Sequence, residues 1–370
     1  MENSASTEKD PLEPRYRRAA EYGQLLYHRY SRVFWTLHST WALVSGGIVL
    51  VLAHNRYGFL PWVVLFLTLT WLSTLFFSRL AVGEGSARVQ AARGFVSYLT
   101  RVMYQETLFF LLPFYFYSTT FLSWNSAYVV VLAGLAVLSC FDVVFDRLVR
   151  TNRWFAQAFF AFVTYSALQF FLPLLLHVKI HNGAYLAAGL AFFASLPLAY
   201  SARDLRQPRR LVLIAVALAA VVGILKVGRE FLPPVPLRLT DVSFGTGVDP
   251  KTLELEHEFA EGRPIYAAGL SNRRLVIRAT IFSPGRLPLR VQIRLLKGRT
   301  TLRASRNLDV VAHRRGFRVW YAVNAGPTGL PPGRYRAEVW TSEGQLVGRQ
   351  EFLAIPGVPS DPRGGPSATP

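Results

Sequence analysis

Two apolar stretches of the sequence contain carboxylates, the side chains there that could hold a proton or a cation. Glu106 is the one charged side chain in YQETLFFLLPFYFYSTTF, and Asp142 and Asp146 follow in FDVVFDRLVR. Only SWNS, at 123–126, separates the two stretches, so they must form a tight antiparallel hairpin. Glu106 and Asp142 each lie about 18 residues from its centre, which predicts that they share one depth along the helices.

Two interpretations of these carboxylates remain open. The functional one is a cytoplasm-facing proton or cation site made of Glu106, Asp142 and Asp146, with Tyr117 on the same helix face as Glu106. The structural one is that the carboxylates pair with loop arginines or reach water, as Asp146 could pair with Arg150 four residues on. The structural interpretation is favoured, because a charge this close to the membrane surface costs little.

The standard catalytic and metal-binding constellations are missing from the sequence. It contains no glycine-rich phosphate loop, nucleophile elbow or cysteine metal motif, and its one cysteine is Cys140. His177 and His181 have i,i+4 spacing and could share a helix face, but no carboxylate lies near them in the sequence. We therefore expect no enzyme activity, no metal and no cofactor.

The apolar residues are concentrated before residue 228. The chain of 370 residues is 51% hydrophobic and 17% charged, which is little charge for a soluble protein. Seven stretches have about the 17–25 residues that a helix needs to span a bilayer. They lie at about 34–53, 59–78, 102–122, 127–146, 154–177, 184–202 and 211–228. The sequence thus predicts an α-helical polytopic membrane domain, 34–228, with about seven transmembrane helices.

The basic residues predict the orientation of these helices. The N-terminal segment 1–33 and the loops after the second, fourth and sixth stretches hold 17 Lys and Arg, against 2 in the alternate loops. Because cytoplasmic loops are enriched in Lys and Arg, we expect the N-terminus in the cytoplasm and the region after residue 228 outside. The formal charge of +19 then indicates contact with anionic lipid, so the lipid bilayer, and no nucleic acid, is the expected partner.

The region after residue 228 has the pattern of an exported β domain. Residues 229–240 form a proline-rich connector, and 241–354 contain short alternating runs such as LPLRVQIRLL and GFRVWYAV. Several short strands with one polar face predict a small all-β, antiparallel sandwich of the Ig-like type. Residues 355–370 are rich in Pro, Gly and Ser, which predicts a disordered tail.

Arginine and tryptophan collect at the outward positions of three of these strands. A face of this composition would bind an anionic group outside the membrane, on a lipid headgroup, an envelope polymer or an acidic protein. The alternative, which is slightly favoured, is a solvated sheet face on which tryptophans rest on arginine stems. The candidate residues are Arg290, Arg294, Arg318, Trp320, Arg334, Arg336 and Trp340.

Parts of the chain resemble two bacterial families. VMYQETLFFLLPFYFYSTTF and FDVVFDRLVR resemble an integral-membrane family, domain of unknown function 5924. HRRGFRVWYAVNAGPTGLPPGRYRAEVWTSEGQLVGRQEF resembles the C-terminal half of domain of unknown function 2914. The resemblances cover roughly 33–232 and 239–354 and imply a bacterial inner-membrane protein with a periplasmic β domain. They imply no activity and no catalytic residue.

Two functions are expected from these observations. The leading one is a non-enzymatic scaffold or sensor, in which membrane helices anchor a periplasmic β-sandwich that binds a protein or an anionic envelope polymer. The alternative is a transporter, or another proton- or cation-coupled membrane protein, that uses Glu106 and Asp142. A membrane enzyme ranks third, because the sequence offers no catalytic set.

Overall fold

A computed structural model describes most of the chain after residue 86. The described residues are 87–201, 203, 206–249, 251–252, 254–270, 272–284, 287–311, 313 and 316–356, with residues 40, 41, 44 and 48, which are helical. The predicted segment 1–33, the stretch 59–78, the rest of 34–53 and the predicted tail beyond residue 356 lie outside the described residues. The same holds for the side chains of 87–101, Asp142, Val143, Asp146 and Arg150.

The helical part of the described chain begins at Ala87. Its helices are α1 (Ala87–Tyr117), α2 (Ser126–Cys140), α3 (Asp142–Thr151), α4 (Arg153–Leu176), α5 (Ile180–Ala199) and α6 (Pro208–Val227). Aromatic rings fill the space between α1, α2 and α4: Phe114 and Phe170 have ring centroids 4.6 Å apart, and Tyr115 stacks on Tyr128 at 5.1 Å. Gly183 lets α5 approach α4 closely, because a Cβ atom there would lie 2.8 Å from the ring of Pro173.

The expectation of about seven transmembrane helices is wrong. Within the described residues, three helices have the length and apolar character needed to cross a membrane. These are α4, α5 and α6, which correspond to the predicted stretches 154–177, 184–202 and 211–228. Three such helices indicate that the protein is associated with a membrane.

The other two described stretches differ from prediction for different reasons. The stretch 102–122 belongs to a longer helix, α1, whose polar residues Gln105 and Glu106 lower its apolar character and which ends at Tyr117. The stretch 127–146 is broken at Phe141, whose backbone angles of −91° and 80° are not helical. The break leaves α2 with 15 residues, about 22 Å, which is too short for a hydrocarbon core of ~30 Å.

A β-sandwich follows the helices, as predicted for this part of the chain. Its strands are Arg238–Gly245 (β1), Gly247–Val248 (β2), Leu255–Glu256 (β3), Ile265–Tyr266 (β4), Arg274–Phe282 (β5), Leu289–Lys297 (β6), Thr300–Ala304 (β7), Leu308–Val310 (β8), Phe317–Asn324 (β9), Gly333–Thr341 (β10) and Leu346–Ile355 (β11). One sheet has the strand order β1–β5–β9, and the other has β4–β11–β10–β6–β7 with β8 also paired to β6. All pairs are antiparallel except β4 with β11, and β2 and β3 form a separate hairpin.

The two sheets enclose one apolar core. Leu275 and Ile277 of β5 lie in this core together with Val291 and Ile293 of β6, and all four are fully buried. The hydroxyl of buried Tyr335, near the start of β10, donates a hydrogen bond of 2.6 Å to the carbonyl of Pro331. This tyrosine corner and the strand order are features of Ig-like sandwiches.

The proline-rich connector is buried between the helices and the sandwich. After a 3-10 turn at Arg229–Phe231, residues 232–237 are all buried. Val235 packs in the aromatic core of the helices, whereas Leu237 packs in the core of the sandwich. The side chain of Gln169, in α4, donates a hydrogen bond of 3.3 Å to the carbonyl of Pro233. The connector therefore belongs to both cores.

Candidate binding cleft and domain junction

The structure places one residue of the predicted carboxylate site, Tyr117, at a distance from Glu106. Glu106 is half-buried in α1, between buried Gln105 and Thr107. Asp142 and Asp146 lie in α3, but their side chains are outside the described part. Tyr117 lies eleven residues after Glu106, about 16 Å along α1, and the guanidinium of Arg238 lies 4.5 Å from its ring centroid. Tyr117 therefore belongs to the sandwich end of the helix and not to a site with Glu106.

Two nearby aromatic contacts bear on the predicted common depth of Glu106 and Asp142. Tyr104 and Phe145 both pack on Phe159, with centroid distances of 5.5 Å and 4.9 Å. Because these residues lie two and three positions from the two carboxylates, the backbones of α1 and α3 run at a similar level there. The carboxylate site of Glu106, Asp142 and Asp146 itself stays a prediction.

The two histidines with i,i+4 spacing do not lie on one helix. His177 ends α4 in a left-handed conformation, and His181 follows in the first turn of α5. Within the described residues, no three His, Cys, Asp or Glu side chains converge as metal ligands would. The expectation of no metal remains a prediction.

The predicted arginine and tryptophan face is divided between two sheets. β6 pairs with β10, so their outward residues lie on one face of the larger sheet, whereas β9 pairs with β5 in the other sheet. Arg318 and Trp320 therefore lie on the opposite side of the sandwich. The five residues that share a face are Arg290, Arg294, Arg334, Arg336 and Trp340.

Most side chains on this face have partners within the sandwich. Arg290 forms an ion pair of 2.9 Å with Asp309, and Arg294 lies 5.0 Å above the ring of Trp340. The guanidinium of Arg336 donates a hydrogen bond of 2.6 Å to the carbonyl of Gly298. Glu338, which the sequence did not single out, is buried at the centre of the face and accepts a 2.9 Å hydrogen bond from the Trp340 indole. These contacts favour the interpretation of a structural, self-paired face.

Polar side chains also fasten the sandwich to the ends of the helices. Arg349 of β11 donates to the carbonyls of Phe121 and Leu122, at 2.9 Å and 3.1 Å. The side chain of Asn125 donates a hydrogen bond of 3.1 Å to the carbonyl of Leu346, and the side chain of Gln345 donates one of 3.3 Å to the carbonyl of Leu232. We call this set of contacts, with Arg238 on Tyr117, the junction. It holds the sandwich in one orientation relative to the helices.

A concave site that the sequence did not predict opens beside the junction. This cleft, of 690 Å³, lies between the strands β1 and β11, which belong to different sheets, and the segment 258–265 forms a third wall. Phe244 and Phe352 form an aromatic floor, with ring centroids 4.6 Å apart. Leu353, which is 47% exposed, stands at the rim. An apolar floor with polar walls is typical of binding sites.

Arg278 is the most enclosed charged residue of the cleft. Its guanidinium forms ion pairs with Glu258 at 3.2 Å and with Asp241 at 3.5 Å, and it donates 3.1 Å to the hydroxyl of Ser243. Its Nε is buried and donates to no acceptor among the described residues. Ion pairs thus fix this wall of the cleft, and the Nε of Arg278 has no acceptor among the described residues.

The cleft and the junction share two strands. β1 begins with Arg238, on Tyr117, and reaches the cleft at Asp241, whereas β11 contacts the α1–α2 loop through Arg349 and enters the cleft at Gln350. The segment 241–261, which includes this part of β1, carries six carboxylates in a basic domain. That concentration of acid is the signal by which the sequence could have indicated the cleft.

Together, fold and site define a membrane-associated protein that holds an Ig-like sandwich, with an open cleft, at one end of its helices. The model of the family described as "Family of unknown function (DUF5924)" matches residues 16–275, or 260 of 370 residues, so the chain belongs to this family. The match confirms the first of the two resemblances. A search of the curated proteins finds no match.

Proposed function

We propose that the protein is a membrane-anchored binding protein of the scaffold or sensor type, and that the cleft between β1 and β11 binds a protein segment or an envelope component. The observation that carries this proposal is the cleft, with its aromatic floor and its enclosed arginine. Buried aromatic residues and arginine are the residue types that contribute most to binding. The proposed activity is non-enzymatic.

The junction supports a sensor in particular. Because β1 and β11 each contact both the cleft and the end of α1, a ligand that moves either strand would also move Tyr117 or the loop at Phe121. A flexible connector would not transmit such a movement, but this connector is buried. Binding in the cleft would thus change the preferred position of α1.

We also propose a location for the two parts of the chain. The N-terminus lies in the cytoplasm of a bacterium, the chain passes more than once through the inner membrane, and the sandwich lies in the periplasm. Among the three described spanning helices, the loop between α4 and α5 holds one basic residue, Lys179, whereas the segment 203–210 at the opposite end holds four arginines. Because the sandwich follows α6, it would lie on the side with few basic residues, which supports this orientation. A reporter that is active only in the periplasm should work when fused after residue 355, and a reporter active only in the cytoplasm should fail there. The reverse result contradicts the orientation.

Site-specific photo-crosslinking tests the binding role of the cleft. A photoreactive amino acid at Leu353 should form an adduct in intact cells, and the charge reversal Glu351→Arg should reduce the yield. The same probe at Trp320, which is similarly exposed on the other sheet, is the matched control. Equal labelling at both positions, or none at Leu353, contradicts the proposal.

The alternative function, a proton- or cation-coupled protein, rests on the surroundings of Glu106. Glu106 lies between buried Gln105 and Thr107, so α1 is enclosed by protein at this level. Proton or cation flux into proteoliposomes should fall in Glu106→Gln and stay unchanged in Glu230→Gln, which lies in the 3-10 turn after α6. Flux that is the same in both variants removes this alternative.

A further inference from the structure

The larger sheet has one edge that is open inside the cleft. β4 covers only the end of β11, at Ala354 and Ile355, and Leu239 of β1 closes against Gly348 at the other end. Residues 349–353 lie between these two points, and no strand of the described chain pairs with that side of them. The open edge is therefore a place where a further strand of about five residues could add.

The opposite edge of the same sheet is a strand of matching length. β7 has five residues, all of them exposed, and pairs only with β6 among the described strands. Arg303 lies within it, Arg299 and Arg306 flank it, and all three are exposed and form no ion pair with a described carboxylate. Exposed edges of this kind are open to pairing with another chain, and repulsion between like charges disfavours pairing of β7 with a second β7.

Charge divides the sandwich in a way that matches the two edges. Segment 241–261 carries six carboxylates and one lysine, whereas 262–356 carries seventeen basic and four acidic residues. In the cleft, Arg278 is already paired with Asp241 and Glu258, while Glu261 and Glu351 are exposed. These two carboxylates face the space that an added strand would occupy, although Arg263 and Arg334 lie at the same rim. Exposed arginines on an added strand would complement them.

The junction lies at one end of the strands. It contacts the start of β1, the turn between β10 and β11 and, through Arg349, the first half of β11. The strands therefore lead away from the helices, and the edges of the sheet face sideways. Two copies in one membrane would meet through such edges.

We propose that β7 of one copy adds to the open edge of β11 in the cleft of a second copy. This inference rests on the proposed binding role of the cleft and names its partner. The two surfaces are different, so the association is heterologous and continues from copy to copy. The added strand supplies main-chain hydrogen bonds, and Arg299 and Arg303 contribute the charge contacts with Glu261 and Glu351.

Cysteine crosslinking of the full-length protein in membranes tests the geometry. In a Cys140→Ser background, Thr301→Cys places a thiol on β7 and Gln350→Cys places one in the cleft. A short bis-maleimide should give a dimer when the two variants are expressed together, but not with either alone, and the doubly substituted chain should give a ladder of oligomers. Dimers from either single variant, or no 301–350 product, overturn the proposal.

Charge reversal tests the chemistry of the contact. One double variant reverses the charge of β7, Arg299→Glu with Arg303→Glu, and a second reverses that of the cleft, Glu261→Arg with Glu351→Arg. Each should lower the crosslink yield about tenfold, because like charges then face each other. Expressing the two reversed chains together, with the cysteines placed on the reversed surfaces, should restore the yield. The control, Arg274→Glu with Arg318→Glu, changes the charge equally on the other sheet and should have no effect. Failure of the restoration overturns the charge pairing.

One outcome separates this inference from the proposed function. If the probe at Leu353 forms an adduct with another protein and the 301–350 crosslink is absent, the cleft binds a partner that is not a second copy. If Leu353 forms no adduct and the crosslink is absent, both fail.

Discussion

Gly348 determines how closely β1 can approach β11. A Cβ atom at this position would lie 2.8 Å from the Cβ of Leu239. We expect Gly348→Ala to lower the free energy of unfolding by about 1–3 kcal/mol, because the two strands would have to separate. The unfolding midpoint of the purified protein in detergent measures the change. Adding Leu239→Ala should recover part of the loss, and a double variant no better than the single one would contradict this explanation.

Tyr335 links the stability of the sandwich to pH. Burial raises the pKa of its hydroxyl above the ordinary value, so the folded state favours the neutral form. This contribution is complete below about pH 10, the ordinary pKa of tyrosine, and is lost as pH rises through the raised pKa.

Replacement of Tyr335 gives the corresponding test. Tyr335→Phe should cost about 1 kcal/mol at pH 7, because the hydrogen bond to Pro331 is lost. The difference in the free energy of unfolding between Tyr335→Phe and the original protein should then shrink above about pH 10, because tyrosine ionises there and phenylalanine does not. Chemical unfolding at pH 7, 9 and 11 measures it. A difference that is constant across this range would contradict the prediction.

At the level of elements, the start of α4 depends on one side chain. The Oδ1 of Asn152 accepts hydrogen bonds of 3.1 Å from the amides of Trp154 and Phe155. Asn152→Ala should therefore destabilise the protein by about 1 kcal/mol, whereas Asn152→Asp should retain most of the stability. The midpoint of thermal unfolding in detergent compares the two variants. Equal losses would show that the cap contributes nothing.

The loop between α1 and α2 depends on the sandwich for its order. Arg349→Gln removes the guanidinium that donates to the carbonyls of Phe121 and Leu122. Amide exchange in residues 120–126 should rise about tenfold, while exchange in β6 and β10 should not change. Arg303→Gln is the control, because that arginine donates only to the neighbouring Leu302 carbonyl. Unchanged exchange in the loop would mean that the junction does not hold it.

The elements also show what could be predicted from sequence. Alternation in LPLRVQIRLL and GFRVWYAV correctly gave the inward and outward residues of β6 and β9. It could not tell that β9 pairs in the other sheet, because a strand's own pattern does not identify its neighbours. The apolar run 127–146 likewise gave no sign of the break at Phe141, since hydropathy measures composition and not backbone angles.

For the whole molecule, the β domain was predictable and the site was not. The sandwich follows from many short alternating strands, each of which adds to the same conclusion. The cleft brings together Asp241, Glu258, Arg278 and Phe352, which are far apart in sequence and meet only when the sheets pack. The structural explanation that the sequence favoured for the arginine and tryptophan face stays a prediction, and the ion pair of Arg290 and the contact of Arg294 with Trp340 agree with it.

The family match ends within the sandwich. It runs from residue 16 to 275, and β5 extends from Arg274 to Phe282. The matched part thus includes the helices, the connector, β1 and the acidic segment of the cleft, but not β10 and β11. The family model therefore covers the helices and one wall of the cleft, but not the wall formed by β11.

The buried connector decides how the protein can be divided. A soluble fragment that begins at β1 would lack Leu237, which fills the sandwich core, and one that begins at residue 229 would expose Val235 to water. Either fragment would therefore expose to water a surface that is buried in the intact chain. Transfer of the sandwich to another protein would accordingly need residues 229–237 together with the helical residues against which they pack. The same requirement applies to expression of the sandwich as a fragment.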